Sequence, residues 1–484
     1  MTTPTLPTQA GLPGGAFDRL VLRNFVKLGA GELVSRLLGF VGTIVIARQL
    51  GVESYGVIGL GFAVLLYFAA VGDLGMEHLG PREVASGEAP VDVLACTITF
   101  ARFVASSIIA LLMAAVGLLL VTEPEGPILA LYGLTLIAMG ASTRWVHIGL
   151  GGTGAVGVSR MVVEILRVGL LLTLVRGPDD LFRVPIIQFA GEAAATVMLW
   201  AVLARRGVRM RFRIDTSVLR IMLRRAFPLL ITNLLALVIY NADIVVLRVF
   251  RDRTEVGLYL AAYTLINFLG VLGNTATLSI LPTLSRLRSS PGRGIELIHR
   301  GQAQMMALGL PLAVGGALLA APILRIVFSA EYTPATTVLQ VLILSIPLLF
   351  QRCVLQAVLI SAGRQDRVLQ VTAWSAIVTI GLNLALVPVL GMLGAGIATI
   401  AAEATRLALA QQFATVEGYP RVSIPSLWRP AFAAALMAAA LIVAPDLSIL
   451  ILIPAGALVY GAALGGAGGF RLFTTPASPV ERAT

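Results

Sequence analysis

The stretch GELVSRLLGFVGTIVIARQLG, residues 31–51, decides the fold of this chain. Most of its side chains are apolar, and an α-helix of about 20 such residues is long enough to cross a bilayer. The stretch also contains Glu32 and Arg36, which are four residues apart and so share one helix face. A charge near the bilayer centre costs about 2.5–3.5 kcal/mol or more, so these residues usually face a protein interior or a watery cavity. We therefore predict a transmembrane helix with a functional polar face.

The composition of the whole chain extends this prediction. Of its 484 residues, 57% are hydrophobic and only 13% are charged, which few soluble proteins could accommodate. The net charge of +11 comes almost entirely from arginines in the loops between apolar runs, which favours an anionic membrane surface over nucleic acid as the partner. Cys96 and Cys353 lie in or beside apolar runs, so neither a disulfide framework nor a metal cluster is indicated. We expect an integral membrane protein without a metal or cofactor.

Apolar runs of roughly 18 or more residues recur along the chain and predict an all-α fold with about 14 transmembrane helices. The predicted spans lie near 26–48, 55–77, 93–121, 127–149, 157–176, 184–204, 226–250, 258–284, 304–328, 335–361, 368–389, 394–416, 430–445 and 448–470.

The first six spans and the next six are predicted to form two six-helix bundles. Several residues recur at an offset of 201 positions, which indicates an internal repeat. An even number of spans in each repeat predicts a pseudo-two-fold axis along the membrane normal, with substrate bound between the halves, as in a transporter. The matched residues are Gly56 with Gly257, Asp73 with Asn274 and Pro81 with Pro282.

Arginine placement predicts the orientation and the domain boundaries. Most basic residues fall on the side that holds the N-terminus, so the positive-inside rule places both termini in the cytoplasm. The segment 205–226 carries eight arginines and is predicted to be a linker on anionic headgroups. The predicted parts are a disordered cytoplasmic tail (1–25), an N-terminal bundle (26–204), the arginine-rich linker (205–225), a C-terminal bundle (226–416), two additional helices (430–470) and a cytoplasmic tail (471–484).

Charges inside the predicted spans are the candidate functional residues. The planar guanidinium of Arg36 suits a phosphate, while pairing with Glu32 would lower the cost of burying both. The pair faces a substrate cavity, or it is a structural pair at a helix entrance. Arg160, Glu164 and Arg167 share a face of the fifth span, and they too are either self-neutralising or cavity-lining. The same alternatives hold for Glu403 and Arg406 in the twelfth span.

Asp243 differs from these residues because its own span offers no base within four positions. An unpaired acid in a span binds a cation, takes a proton, or meets an arginine from another helix. Asp243 is therefore the strongest candidate for ion coupling or substrate positioning. Glu192 is a weaker candidate, since its small neighbours Gly191 and Ala193 suit a helix contact.

Arg144 ends the fourth span, next to Trp145 and His147. A basic residue and an aromatic at this position serve as interface anchors, or they capture an anionic headgroup from the inner leaflet. The full set of predicted substrate-binding residues is Arg36, Glu32, Asp73, Arg144, Arg167, Asp243, Asn274, Arg352 and Arg406; the candidates for a coupling ion, Na⁺ or H⁺, are Asp243, Glu164 and Glu403.

The last two spans contain no charge. They are lipid-facing packing or an oligomer contact, or they form a surface for a lipid tail. The G-x-G-x-x-G at residues 149–154 follows a predicted span rather than a strand, so it does not indicate a nucleotide site. The short outer loops leave little room for a catalytic domain, and we expect no enzyme activity.

Several short motifs resemble bacterial polysaccharide (O-antigen type) flippases. They are SRLLGF at 35–40, IARQLGVESYG at 46–56, DLG at 73–75, W-x-H-x-G at 145–149, and NADIVVL with VGLYLAAYTL within 241–265. These flippases belong to the multidrug/oligosaccharidyl-lipid/polysaccharide exporter superfamily, with the lipid II flippase and the multidrug and toxic compound extrusion (MATE) transporters.

The resemblance implies two six-helix bundles around a cationic cavity that opens alternately to each side of the inner membrane. It implies transport of an undecaprenyl-pyrophosphate-linked oligosaccharide, with polysaccharide polymerase or assembly proteins as partners. Arg36 matches the cavity arginines of such proteins, whereas Gly42 stands where lipid II flippases have another arginine. Lipid II transport and multidrug or cation antiport are the alternatives, and a membrane-embedded glycosyltransferase is a rival from another class.

Overall fold

The computed structural model describes residues 14–208, 214–287, 291–419, 428–443 and 448–469, with side chains from residue 34 onward except at positions 278 and 291. Apart from two short 3-10 turns, Pro178–Asp180 and Ala330–Ala335, the regular secondary structure of these residues is α-helical. The helices are α1 (Gly14–Asp73), α2 (Met76–Ser86), α3 (Val91–Leu120), α4 (Glu125–Gly140), α5 (Arg144–Gly149), α6 (Thr153–Leu174), α7 (Arg183–Arg205), α8 (Thr216–Phe250), α9 (Arg253–Arg286), α10 (Pro291–Leu318), α11 (Ala320–Val327), α12 (Thr336–Ile343), α13 (Ser345–Ser361), α14 (Gln365–Leu390), α15 (Met392–Val416), α16 (Trp428–Val443) and α17 (Ile449–Gly466).

Ten helical segments of the described chain are long and apolar enough to cross a membrane, or eleven if the bent pair α10 and α11 counts as one span. The predicted total of 14 spans stays a prediction. Three further features explain why the described chain has fewer spans than the predicted 14. The first two predicted spans form one continuous element, α6 carries three charges in 22 residues, and α16 has only 16 residues.

A backbone break at Gly51 divides the long helix α1. Its dihedral angles, φ 76° and ψ 176°, lie in a region that is almost restricted to glycine. The break falls between the first two predicted spans, so the chain leaves one helix and enters the next without a loop.

The first of two compact units comprises residues 1–49 and 65–233. Its largest buried side chain, Trp145 of α5, lies against Gly80 of α2, where a Cβ atom would be 2.4 Å from the indole ring. α3 and α4 approach each other equally closely at Gly117 and Gly126. Glycines therefore let α3 and α4 approach backbone to backbone and let Trp145 pack against α2.

The second unit comprises residues 50–64 and 234–484. Most side chains of α13 are buried in it, among them Phe350 and Cys353. Gly56 and Gly257, which the repeat matched, lie at one close crossing, where a Cβ on Gly257 would be 2.0 Å from the carbonyl oxygen of Val52. The boundaries of the two units differ from those of the predicted domains, because residues 50–64 group with the later part of the chain. The predicted domain boundaries stay predictions.

The two C-terminal helices belong to the second unit. Met437 and Leu441 of α16 pack with Leu452 and Tyr460 of α17 in one apolar cluster. The hydroxyl of Tyr460 donates to the carbonyl oxygen of Ala307 in α10, at 2.7 Å. These contacts fix α16 and α17 to the side of α10.

Candidate functional site

A polar cavity of about 250 Å³ lies within the first unit. Three arginines line it, each from a different helix, and we call it the arginine cavity. Its lining residues are Ser35, Arg36 and Gly39 of α1, Ser142 before α5, Arg144 of α5, Ser159, Arg160, Val163 and Glu164 of α6, and Glu192, Ala195 and Leu199 of α7.

Arg36 and Arg144, two of the predicted substrate-binding residues, lie together in this cavity. Arg144 is the first residue of α5 and is anchored by Glu77 of α2, with 3.0 Å between Nε and Oε1 and 3.5 Å between Nη2 and Oε2. This paired geometry holds the guanidinium in a fixed plane. The side chain of Glu32, predicted to pair with Arg36, lies outside the described part of the chain.

Arg160, Glu164 and Arg167 stand on one face of α6, as their spacing predicts. Arg167 pairs with Glu164 at 2.6 Å and donates from Nη2 to the carbonyl oxygen of Gly39 in α1 at 3.2 Å. Arg160 lines the cavity. Arg167 therefore connects α6 to α1, while Arg160 faces the cavity.

The missing side chain of Gly42 makes room for Arg167. A Cβ atom on Gly42 would be 3.3 Å from Nη2 of Arg167. The guanidinium of Arg167 thus occupies the space beside Gly42 of α1.

Glu192 of α7 also lines the arginine cavity. Within the described residues it makes no hydrogen bond or ion pair, although two other carboxylates nearby are both paired: Glu164 with Arg167, and Glu77 with Arg144. The sequence ranked Glu192 below Asp243 because its small neighbours suggested a packing role.

Asp73 lies outside the cavity lining. Its Oδ1 is 2.8 Å from Nη2 of the buried Arg102 in α3, and its Oδ2 accepts from the backbone N–H of Glu77 at 3.0 Å. Arg102 also donates to the carbonyl oxygen of Ser142 at 3.0 Å. Asp73 therefore joins the end of α1 to α2 and α3.

Arg352, Glu403 and Arg406 form a buried ion cluster in the second unit, which we call the buried triad. Glu403 of α15 accepts from Arg352 of α13 at 3.0 Å and from Arg406 one turn further along its own helix. Arg352 also donates to Gln356 at 2.7 Å, and the guanidinium of Arg406 lies over the ring of Tyr240. Two guanidiniums thus share one carboxylate in a site largely closed to solvent.

Asp243 of α8 is 2% exposed. Its carboxylate accepts a short hydrogen bond from the hydroxyl of Tyr259 in α9, which also lies 3.3 Å from the hydroxyl of Thr399 in α15. No arginine of the described chain lies within ion-pair distance of it, so of the three alternatives given for this acid the structure leaves a bound cation or a proton. Asn274, its fellow candidate, is exposed, with its Oδ1 at 3.8 Å from the thiol of Cys353.

A second cavity, of about 310 Å³, lies within the second unit and is apolar. We call it the apolar pocket. Its lining comes from α9 to α12 together with α16 and α17, and includes Phe268, Leu312, Met437, Ile453 and Ala457. No charged side chain of the described residues lines it.

Sequence reasoning named Arg160 in a helix-face pattern but left it out of the substrate-binding set. The signal was present, because Arg160 and Glu164 are four residues apart. The lining serines Ser35, Ser142 and Ser159 had no such signal, since a single serine is common in any membrane helix.

Comparison with known proteins identifies the family. Residues 21–288, more than half of the chain, match the family described as polysaccharide biosynthesis protein. The chain therefore belongs to this family of polysaccharide biosynthesis proteins. No curated protein matches it in sequence.

Solved structures share the fold at low sequence identity. The lipid II flippase MurJ in an inward closed conformation is 14% identical, with a TM-score of 0.72 over 92% of this chain and 99% of the other. A MATE family multidrug transporter of the MOP superfamily, inward-facing, is also 14% identical, with a TM-score of 0.58 over 81% and 98%. A mutant of the Vibrio cholerae MATE transporter VcmN is 15% identical, with a TM-score of 0.52 over 81% and 97%.

These matches confirm the recognition made from the short motifs and the predicted all-α membrane fold. The protein is a multi-pass membrane protein with the fold shared by a lipid II flippase and multidrug transporters. The predicted site residues and the orientation of the termini stay predictions.

Proposed function

We propose that the protein is a flippase that moves an undecaprenyl-pyrophosphate-linked oligosaccharide across the bacterial cytoplasmic membrane by alternating access, with both termini in the cytoplasm. The arginine cavity is the observation that carries this proposal. Its three arginines come from three different helices and line one polar space.

The cavity suits a pyrophosphate better than a cationic drug. Guanidiniums make bidentate, charge-assisted hydrogen bonds to phosphate oxygens, and the lining serines add neutral donors. Glu77 holds Arg144 in one orientation, which reduces the side-chain entropy lost on binding. A multidrug or cation antiporter needs an acidic pocket instead, and two of the three carboxylates at or beside this cavity are occupied by arginines.

Arg167 bears on the choice between an oligosaccharide and lipid II. Its guanidinium comes from α6 and rests beside Gly42, so the positive charge near this place is supplied by another helix and is tied to Glu164. We retain lipid II as the alternative substrate.

The apolar pocket supports a substrate with a lipid tail. Its lining is apolar, which matches the hydrocarbon of such a tail, and α16 and α17 add apolar surface at the pocket. Of the roles left open for these two helices, contact with the prenyl chain fits this lining best.

Asp243 is the residue we propose for coupling to Na⁺ or H⁺. A buried carboxylate without an arginine partner gains stability by binding a cation or by taking a proton. Glu403 is a poorer coupling residue, because two arginines already occupy its oxygens, and Glu164 is bound to Arg167.

Complementation of a flippase-deficient bacterium tests the function. We expect Arg36→Ala and Arg144→Ala to abolish surface polysaccharide at normal protein levels. Arg176→Ala, which changes an exposed arginine two residues after the end of α6, should leave it unchanged. Normal polysaccharide in both cavity variants would refute the proposal. Purified protein in liposomes should move a fluorescent lipid-linked sugar without altering it chemically; chemical turnover would favour a glycosyltransferase, and drug export would favour the antiporter.

A further inference from the structure

Glu192 is a carboxylate in the arginine cavity that the proposed phosphate binding does not use. It projects from α7 into the same 250 Å³ space as Arg36, Arg144 and Arg160. The part of the chain that the structure describes offers it no hydrogen bond and no ion pair.

The charged groups around Glu192 come from four helices. α1 contributes Arg36, α5 contributes Arg144 with its partner Glu77 from α2, and α6 contributes Arg160 and Glu164. α4, which also packs on α7, has one charged residue, Glu125, at its first position. His147 of α5 is buried, with Nε2 at 2.9 Å from the carbonyl oxygen of Leu199.

A pyrophosphate in this cavity meets two opposite influences. The arginines attract it, and an ionised Glu192 in the same small space repels it, because like charges interact strongly where little water separates them. Glu164 and Glu77 repel it less, since each shares its charge with an arginine. Protonation of Glu192 removes the repulsion and turns the carboxyl group into a hydrogen-bond donor toward a phosphate oxygen.

We propose that Glu192 takes up one proton when the pyrophosphate of the substrate binds in the arginine cavity, so that head-group binding is linked to protonation. The inference rests on the proposed function for the identity of the ligand. It adds a residue and a proton to that function: the protonated Glu192 positions the phosphate, and the ionised Glu192 disfavours it.

Binding measurements on the full-length protein in lipid nanodiscs test this linkage. The probe is farnesyl-pyrophosphoryl-N-acetylglucosamine, a short-chain diester whose phosphates stay ionised through the neutral range. At pH values of about 6, 7 and 8, we expect Kd to rise by up to about tenfold per unit, the limit for uptake of one proton. Calorimetry in two buffers of different ionisation enthalpy counts the protons directly.

Three variants separate the possible outcomes. Glu192→Gln should bind at pH 8 as tightly as the wild type binds at low pH, with no proton uptake, whereas Glu192→Asp should restore the pH dependence. Glu88→Gln, an exposed loop residue, should behave as the wild type. Wild-type pH dependence in Glu192→Gln would overturn the inference and assign the proton to another group, His147 included.

The same experiment distinguishes failure of the inference from failure of the function. If the probe binds in an Arg36-dependent manner but without proton uptake, the role of Glu192 is refuted and the function stands. If the wild type does not bind the probe at any of these pH values, the proposed head-group site is wrong. Thermal unfolding of each variant in detergent verifies that the protein is folded.

Discussion

Charged residues inside the apolar helices of this protein pair with an opposite charge on the same helix. Glu403 accepts from Arg406 three positions later, and Arg167 reaches back to Glu164 over the same spacing. In both cases a second contact comes from another helix, from Arg352 to Glu403 and from Arg167 to Gly39. The local pair reduces the cost of burial, and the distant contact fixes how two helices meet.

We expect Glu403→Gln to destabilise the second unit strongly. Removing one partner of a buried ion pair costs about 3–5 kcal/mol, and here two arginines lose their carboxylate. Glu417→Gln, which removes a more exposed partner of Arg364, should cost less than about 1 kcal/mol. Chemical unfolding of the purified variants measures both; equal effects would show that the triad does not stabilise the fold.

Gly42 and Arg167 give a second prediction at this scale. A valine at Gly42 must displace the guanidinium of Arg167 and the side chain of Val168, and overpacking of this kind costs about 1–3 kcal/mol. Gly169→Val in α6 has open space around it and serves as the matched control. The thermal unfolding midpoint in detergent should fall for Gly42→Val and stay near the wild-type value for the control. A similar midpoint for both would mean that Arg167 has room to move.

The helices differ in how far their contacts were predictable. Apolar runs locate them, and spacing of three or four predicts the pairs within α6 and α15. The partners of Asp73, Arg352 and Asp243 come from other helices, and no spacing rule encodes which helices meet. For this reason Asp73 and Arg352 were predicted as cavity residues, while the structure pairs them with Arg102 and Glu403. Arg36 and Arg144 share a cavity because α1 and α5 meet in the fold, which no spacing rule encodes either.

The break in α1 is a feature of the element rather than of one contact. At Gly51 the backbone takes a conformation that costs other residues about 1–3 kcal/mol. We expect Gly51→Ala to lower stability by this amount. Gly381→Ala, inside α14 with open space around it, should be neutral or stabilising because alanine favours helix. Unfolding experiments on the two variants check this, and an unchanged Gly51→Ala would indicate that the two halves of α1 can rearrange.

At the scale of the whole molecule, a polar cavity and an apolar pocket stand in different units of one chain. The arginine cavity belongs to residues 1–49 and 65–233, and the apolar pocket belongs to the second unit. The substrate that we propose likewise has two parts, a charged head group and a hydrocarbon tail. Composition predicted a membrane protein, but it could not have separated these two surfaces, since both are lined by residues scattered over several helices.

The apolar pocket gives the prediction at this scale, and it follows from the proposed substrate. Ala457 of α17 lines the pocket, while the next residue, Leu458, is 74% exposed on another face of the same helix. Ala457→Trp should fill the pocket and slow transport of a long-chain prenyl-linked sugar several-fold in liposomes, whereas Leu458→Trp adds the same ring outside and should not. A short-chain substrate should be affected less by Ala457→Trp, because a shorter chain occupies less of the pocket. If Ala457→Trp slows long and short chains equally, the defect lies in folding or in the transport cycle. If the long chain is transported normally, the pocket is not the site of the tail.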